Sequence, residues 1–188
     1  MAADDLTIAR FSDAEFERML GRGAFADMRV ELRAGVLRRM NAQYAPHLRI
    51  KSDLGAELRE AVQRAGLALE VSIDGSVGFG AGFTPSPDVI VWTPSDVDTI
   101  LPGADVALIV EVADTTLSDD LGAKLFSYAR AGVPEYWVAD VAGRVIHQCW
   151  APGAAGYGGR RVIPFGQDVA AEALKGVALP KALARWAA

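Results

Sequence analysis

The chain has 188 residues, 51% of them hydrophobic and 23% charged, which suits one domain over residues 1–188 with a sizeable core and excludes a disordered or low-complexity protein. No apolar run is long enough to span a bilayer, so a soluble protein with no membrane partner is expected. The net charge of −5 counts against a general nucleic-acid binder. Arg33, Arg38, Arg39, Arg49 and Lys51 nevertheless fall close together, and Arg160 with Arg161 forms a later pair. These are either a local basic patch or a set of solvated faces, and charge alone favours the second. The N-terminal stretch carries Asp4 and Asp5 where a secretory signal would have bases, and the single Cys149 cannot form an internal disulfide. Both point to a reducing cytoplasm, with Cys149 a buried thiol.

Ser12 followed by Glu15 reads as a capping box for a short helix that buries Phe16, Met19 and Leu20. Residues 29–33 and 36–40 read as a hairpin turning at Ala34-Gly35. Pro46 suits the first turn of a longer helix, with Leu54, Leu58, Ala61, Val62 and Ala65 as its apolar stripe and Gly66 as its stop. Leu69, Val71 and Ile73 alternate with polar residues, as on a half-buried strand. The glycines from Gly75 to Gly82 do not form GxGxxG, and no Gly-Lys-Ser/Thr follows them; they mark tight backbone near a sheet.

Asp88 opens a short apolar strand ending at Trp92, and residues 106–112 form a nearly continuous apolar run, as on a strand covered on both faces. Ser118 or Asp119 is placed to cap the next helix, whose buried stripe would be Leu121, Leu125, Tyr128 and Ala129 before Gly132 and Pro134 end it. Residues 135–140 and 144–150 read as a hairpin around Ala142-Gly143, followed by a strand near 161–165 and a short terminal helix. The order predicts an α/β or α+β fold around one mixed central sheet flanked by helices. Trp92, Trp137, Trp150 and Trp186 are assigned to the core.

Glu111 is the most informative residue, because it lies near the end of the most buried strand. An ionised carboxylate there is costly unless a metal ion or a cationic side chain faces it, or unless it reaches the sheet edge and water. Asp88 taken alone is a common turn residue after proline. Two strands of one sheet that each end in an acid can, however, bring both carboxylates to one point, and such hard oxygen ligands suit Mg²⁺. Helical spacing places Asp120, Lys124 and Tyr128 on one side of the next helix. From there Lys124 could reach back to a metal site, or simply pair with Asp120. Glu31 faces either solvent or the site. His47 reads as a surface or capping residue, and His147 is given no role. One cysteine and two distant histidines exclude an ordinary zinc site.

The stretches 86–92, 108–112, 120–124 and 128–140, with the opening segment 31–40 and His47, resemble the Uma-two family of restriction-endonuclease-like proteins. The likeness covers nearly the whole chain and is most specific from Lys124 to Asp140. It implies a PD-(D/E)XK core, with Asp88 as the metal-binding Asp, Glu111 as the (D/E) acid and Lys124 as a migrated lysine. The usual lysine place, two residues after the acid, holds Ala113. The expected activity is Mg²⁺- or Mn²⁺-dependent phosphodiester hydrolysis of nucleic acid, preferentially DNA. Asp88, Glu111 and the Val112 carbonyl would hold the metal, and Lys124 would orient the attacking water. Glu31, His47 and Asp120 stand behind them. Ala113 and the net charge leave a second reading open, a catalytically inactive binding or regulatory module of the same fold; an unrelated α/β protein is a third. An apolar face around Trp150 and Val162 would suit a homodimer.

Overall fold

The structure, a computed structural model, describes residues 8–187, so most of the N-terminal stretch compared with a secretory signal lies outside the described residues. The elements in chain order are α1 (Asp13–Gly21), β1 (Val30–Arg33), β2 (Val36–Arg39), α2 (Ala45–Arg64), β3 (Glu70–Ile73), β4 (Val77–Gly78), β5 (Val89–Trp92), β6 (Leu101–Pro102) and β7 (Val106–Ala113). A helical segment follows, made of α3 (Leu117–Asp119), a π-helical turn (Asp120–Lys124) and α4 (Leu125–Arg130). Then come β8 (Glu135–Asp140), β9 (Val145–Gly153), β10 (Gly156–Pro164), β11 (Val169–Ala170), β12 (Ala178–Leu179) and a closing 3₁₀ turn (Ala184–Trp186).

The capping box forms: the Ser12 hydroxyl accepts from the Glu15 N–H while Glu15 receives the Ser12 N–H at 2.8 Å. β1 and β2 pair as an N-terminal antiparallel hairpin, with Glu31 opposite Arg38. Gly35 sits at φ +75°, and a Cβ on Gly82 would lie 2.6 Å from the Gly35 nitrogen, so the glycine-rich stretch does bring two backbones into close contact.

The central sheet runs β10-β9-β8-β7-β5-β3, antiparallel throughout except for the parallel pair β7–β8. That one parallel pair requires a crossover, which the helical segment 117–130 supplies. β7 and β8 are buried on both faces, which explains their continuous apolar runs. Period-two alternation sorts their side chains. Leu108, Val110, Val112, Val89 and Val91 pack with Leu54, Leu58 and Val62 of α2. Ile109, Ala113 and Ile90 pack on the other face with Leu125, Tyr128 and Tyr136.

Several expectations are corrected. Neither Ser118 nor Asp119 caps the third helix; its first turn starts after Thr116, whose hydroxyl bonds Asp120, and Asp119 is taken by Arg33. The helix is also not regular, because Gly122, at φ −107° and ψ −107°, kinks it. Ile73, placed on the buried side, is 39% exposed. Trp92 and Trp137 are buried, but Trp150 and Trp186 are half-buried under the guanidinium groups of Arg161 and Arg185. The short pairs β4–β6 and β11–β12 had no readable signal, since two residues cannot show a period.

Candidate active site

In the β5–β7 pair Val89 lies opposite Val110, and one further step along the register sets Asp88 opposite Glu111. Glu111 follows Ile109 on the α4 side of the sheet, while Asp88, just before β5, turns at the end of the sheet towards His47 of α2 and the Val112 N–H. Each is only 4% exposed, and both line one cleft of about 430 Å³. The cleft is bounded by Glu31, Arg33, Arg38 and Arg39 of the hairpin, by residues 40–44 and His47, and by Lys124.

Glu111 is held from the crossover segment. Its Oε1 accepts from the Tyr128 hydroxyl at 2.8 Å and lies 3.1 Å from Lys124 Nζ. Lys124 also lies 3.0 Å from Asp120 Oδ1, so the ordinary i,i+4 pair and the reach back to Glu111 coexist. Lys124 and Tyr128, one helical turn apart, meet at the same oxygen. Burial pushes the Glu111 carboxyl up to about 8, against the pull of Lys124 and with Asp88 and Asp120 adding to the rise. Burial opposes the Lys124 ammonium, but Glu111, Asp120 and Glu31 outweigh it and hold its pKa above the usual lysine range. Among the described residues no donor reaches Glu111 Oε2.

Asp88 is held from α2 and the loop before it. Its Oδ1 accepts from Gln43 Nε2 at 2.9 Å and lies 3.0 Å from His47 Nε2; its Oδ2 accepts from the Val112 N–H at 2.8 Å. Burial raises this carboxyl's pKa, but His47, the Val112 N–H and Lys51 together bring it below the usual value. His47 is thus neither a surface residue nor a cap: it is 9% exposed and turned onto Asp88.

Lys51, counted among the basic patch or solvated faces, is 2% exposed. Its Nζ bonds Gln43 Oε1 at 2.6 Å and Asp74 at 2.8 and 2.9 Å, 3.7 Å from Asp88 Oδ1. A signal for it existed, since His47 and Lys51 are four apart and adjacent to the buried Ile50 and Leu54. Gln43, in an irregular loop, offered none.

Glu31 turns inward at 6% exposure, and its Oε2 is buried without a hydrogen-bond partner. Arg33 clamps Asp119 at 2.6 and 3.0 Å, tying the hairpin to the crossover segment, and Asp119 holds its guanidinium still more firmly protonated. Arg38 and Arg39 are exposed at the cleft mouth. The clustered bases thus divide between buried ion pairs and a basic rim.

The donor set suits a hard divalent cation: the Asp88 and Glu111 carboxylates at one cleft, Glu111 with its protein contacts on Oε1, and the partnerless Glu31 Oε2. Among the described residues no three His, Cys, Asp or Glu side chains are grouped so as to hold a metal ion. Mg²⁺, which keeps several waters and often takes only one or two carboxylates, does not require three.

Comparisons with known proteins bear on family and fold. A family model, Uma2, described as "Putative restriction endonuclease", matches residues 13–182. The chain is similar in structure to a "putative nuclease belonging to DUF820" from Anabaena variabilis, with a TM-score of 0.67 and 14% identity over 94% of this chain and 98% of that one. At that identity the likeness is one of fold. No curated protein matches the chain. Among the described residues no helix is long and apolar enough to cross a membrane.

Proposed function

The chain belongs to the Uma2 family, described as "Putative restriction endonuclease", and on that premise we propose that it is a metal-dependent endonuclease that hydrolyses phosphodiester bonds in nucleic acid, with DNA as the substrate. The observation that carries this reading is Glu111: a buried carboxylate at the end of an inner strand, sharing one cleft with Asp88 and held by Lys124 and Tyr128.

Asp88 and Glu111, with the Val112 carbonyl, would hold Mg²⁺ or Mn²⁺, which when bound supplies a Lewis acid against the developing phosphorane charge. Lys124 would orient the attacking water and add positive charge, the role a lysine at position 113 would otherwise fill. Tyr128 fixes one oxygen of Glu111 and leaves the other to the cleft. Gln43, His47 and the Val112 N–H fix Asp88 in the same way. Incubation with plasmid and oligonucleotides in Mg²⁺ or Mn²⁺ tests the reading: equal cleavage by the wild type and Glu111→Ala sinks it.

A second reading, a binding module that keeps the fold without the activity, is favoured by one observation. Both Asp88 oxygens already accept protein hydrogen bonds, and Ala113 occupies the usual lysine place. Calorimetry with Mn²⁺ separates the two, since this module would bind none at Asp88 and Glu111. The same proposal takes residues 1–188 as one domain in a reducing cytoplasm. It assigns homodimerisation to the edge strand β10, where Val162 is 58% and nearby Phe126 45% exposed. A monomer in light scattering at high concentration counts against that last point.

A further inference from the structure

The acids lie on the cleft floor, but the mouth has a different chemistry. Residues 38–44 run along one side of it without a break and bring Arg38, Arg39 and Tyr44 to the rim. Arg38 and Arg39 end β2 as exposed residues, and among the described residues no carboxylate lies within ion-pair distance of either. The acids nearest the rim are Asp114, half-buried, and Asp119, which is clamped by Arg33.

Tyr44 is 66% exposed although it stands at the N-cap of α2, where it makes no capping bond. Leu48, one turn on, is 43% exposed. Exposed arginines beside an open aromatic ring combine charge for phosphates with a platform for a base face. A duplex hides its base faces in the stack, so a Tyr44 platform would have nothing to receive from it. The floor adds a second constraint. Asp88 and Glu111 are 4% exposed at the bottom of a cleft whose volume is that of a small-molecule pocket. A cleft of that volume has room for one strand's backbone rather than for both strands of a helix.

Resting on the nuclease reading above, the geometry points to an unpaired strand as the substrate form. One base stacks on Tyr44, and the flanking phosphates meet Arg38 and Arg39. The strand then passes over the Asp88–Glu111 pair.

The test is fluorescence anisotropy in EDTA, where neither a metal nor cleavage enters. The probes are a labelled single-stranded deoxyoligonucleotide, its blunt duplex and the matching single-stranded ribo-oligonucleotide. Wild type should bind either single strand on the order of tenfold or more tighter than the duplex. Tyr44→Ala should weaken single-strand binding by about 5- to 100-fold, with Tyr44→Phe retaining it. Arg38→Gln and Arg39→Gln should each lower the salt slope of log K by about 0.7. Because all three side chains are exposed, the variants should keep the wild-type circular dichroism spectrum. Duplex binding as tight as single-strand binding, or an unchanged Tyr44→Ala, overturns the strand inference and leaves the nuclease reading standing. No binding of any probe also overturns the strand inference, while the nuclease reading stands or falls on the cleavage assay with Mg²⁺ or Mn²⁺.

Discussion

Lys124 reaches Glu111 from the crossover segment, its Nζ 3.1 Å from Oε1. The pair is buried on both sides, at 9% and 4% exposure, so its members cannot be exchanged independently. Above about pH 8, where Glu111 is ionised, Lys124→Met should leave Glu111 and Asp120 facing each other without a cation, a change of a few kcal/mol. In urea melts the double variant Lys124→Met/Glu111→Gln should be more stable than Lys124→Met alone. Phosphodiesterase activity of Lys124→Met should fall by about 100-fold or more in single-turnover assays.

The raised carboxyl of Glu111 makes stability depend on pH in a direction opposite to that of a surface acid. In the unfolded chain this group loses its proton near 4.5; in the fold it keeps it up to about 8. Between those values the native state binds more protons, so the free energy of unfolding falls as pH rises through that window. Relative to Glu111→Gln, which cannot titrate there, the wild type should lose stability between pH 5 and 8. Urea midpoints of both proteins across that range measure it, and parallel curves would refute it.

Asp88 sits low in pKa with three close donors, so it should remain ionised and available to a cation at neutral pH. Asp88→Asn should abolish calorimetric Mn²⁺ binding while the protein stays folded. His47→Ala, which removes only one of the donors, should weaken binding by about 10- to 100-fold, the usual cost of losing a partner that orients a ligand.

Arg33 and Asp119 join the hairpin to the crossover segment through two parallel bonds. The carboxylate is 41% exposed, so water discounts the pair, and Arg33→Ala should cost about 1–2 kcal/mol. Arg33→Lys should not restore it, because an ammonium cannot make the two-pronged contact. Chemical denaturation of the three proteins checks both statements.

Much of the fold was legible because it rests on local patterns. The capping box at Ser12 and Glu15, the proline opening α2, the alternating and continuous apolar runs of β3, β5, β7 and β8, and the glycine that ends the crossover segment each state their element within a few residues. A buried acid at a strand end is legible too, because desolvation makes it rare without a partner. Glu111 could therefore be named in advance, with Asp88 gaining force only as its neighbour and Lys124 resting mostly on the family resemblance, and the structure gathers all three at one cleft.

What the sequence by itself determined is therefore the longer elements and the acid buried near the end of β7, through periodicity and the cost of burying charge. Tertiary structure alone decided which side chains surround that acid and Asp88. Gln43 and Lys51 reach the Asp88 cluster from before and within α2, and His47 turns from an expected surface position onto Asp88. Tyr128, which spacing set beside Lys124 but gave no role, donates to Glu111, and Arg33 closes on Asp119. These contacts join residues far apart in the chain. Their geometry is set by sheet register, by the kink at Gly122 and by where each helix ends, none of which has a local signature.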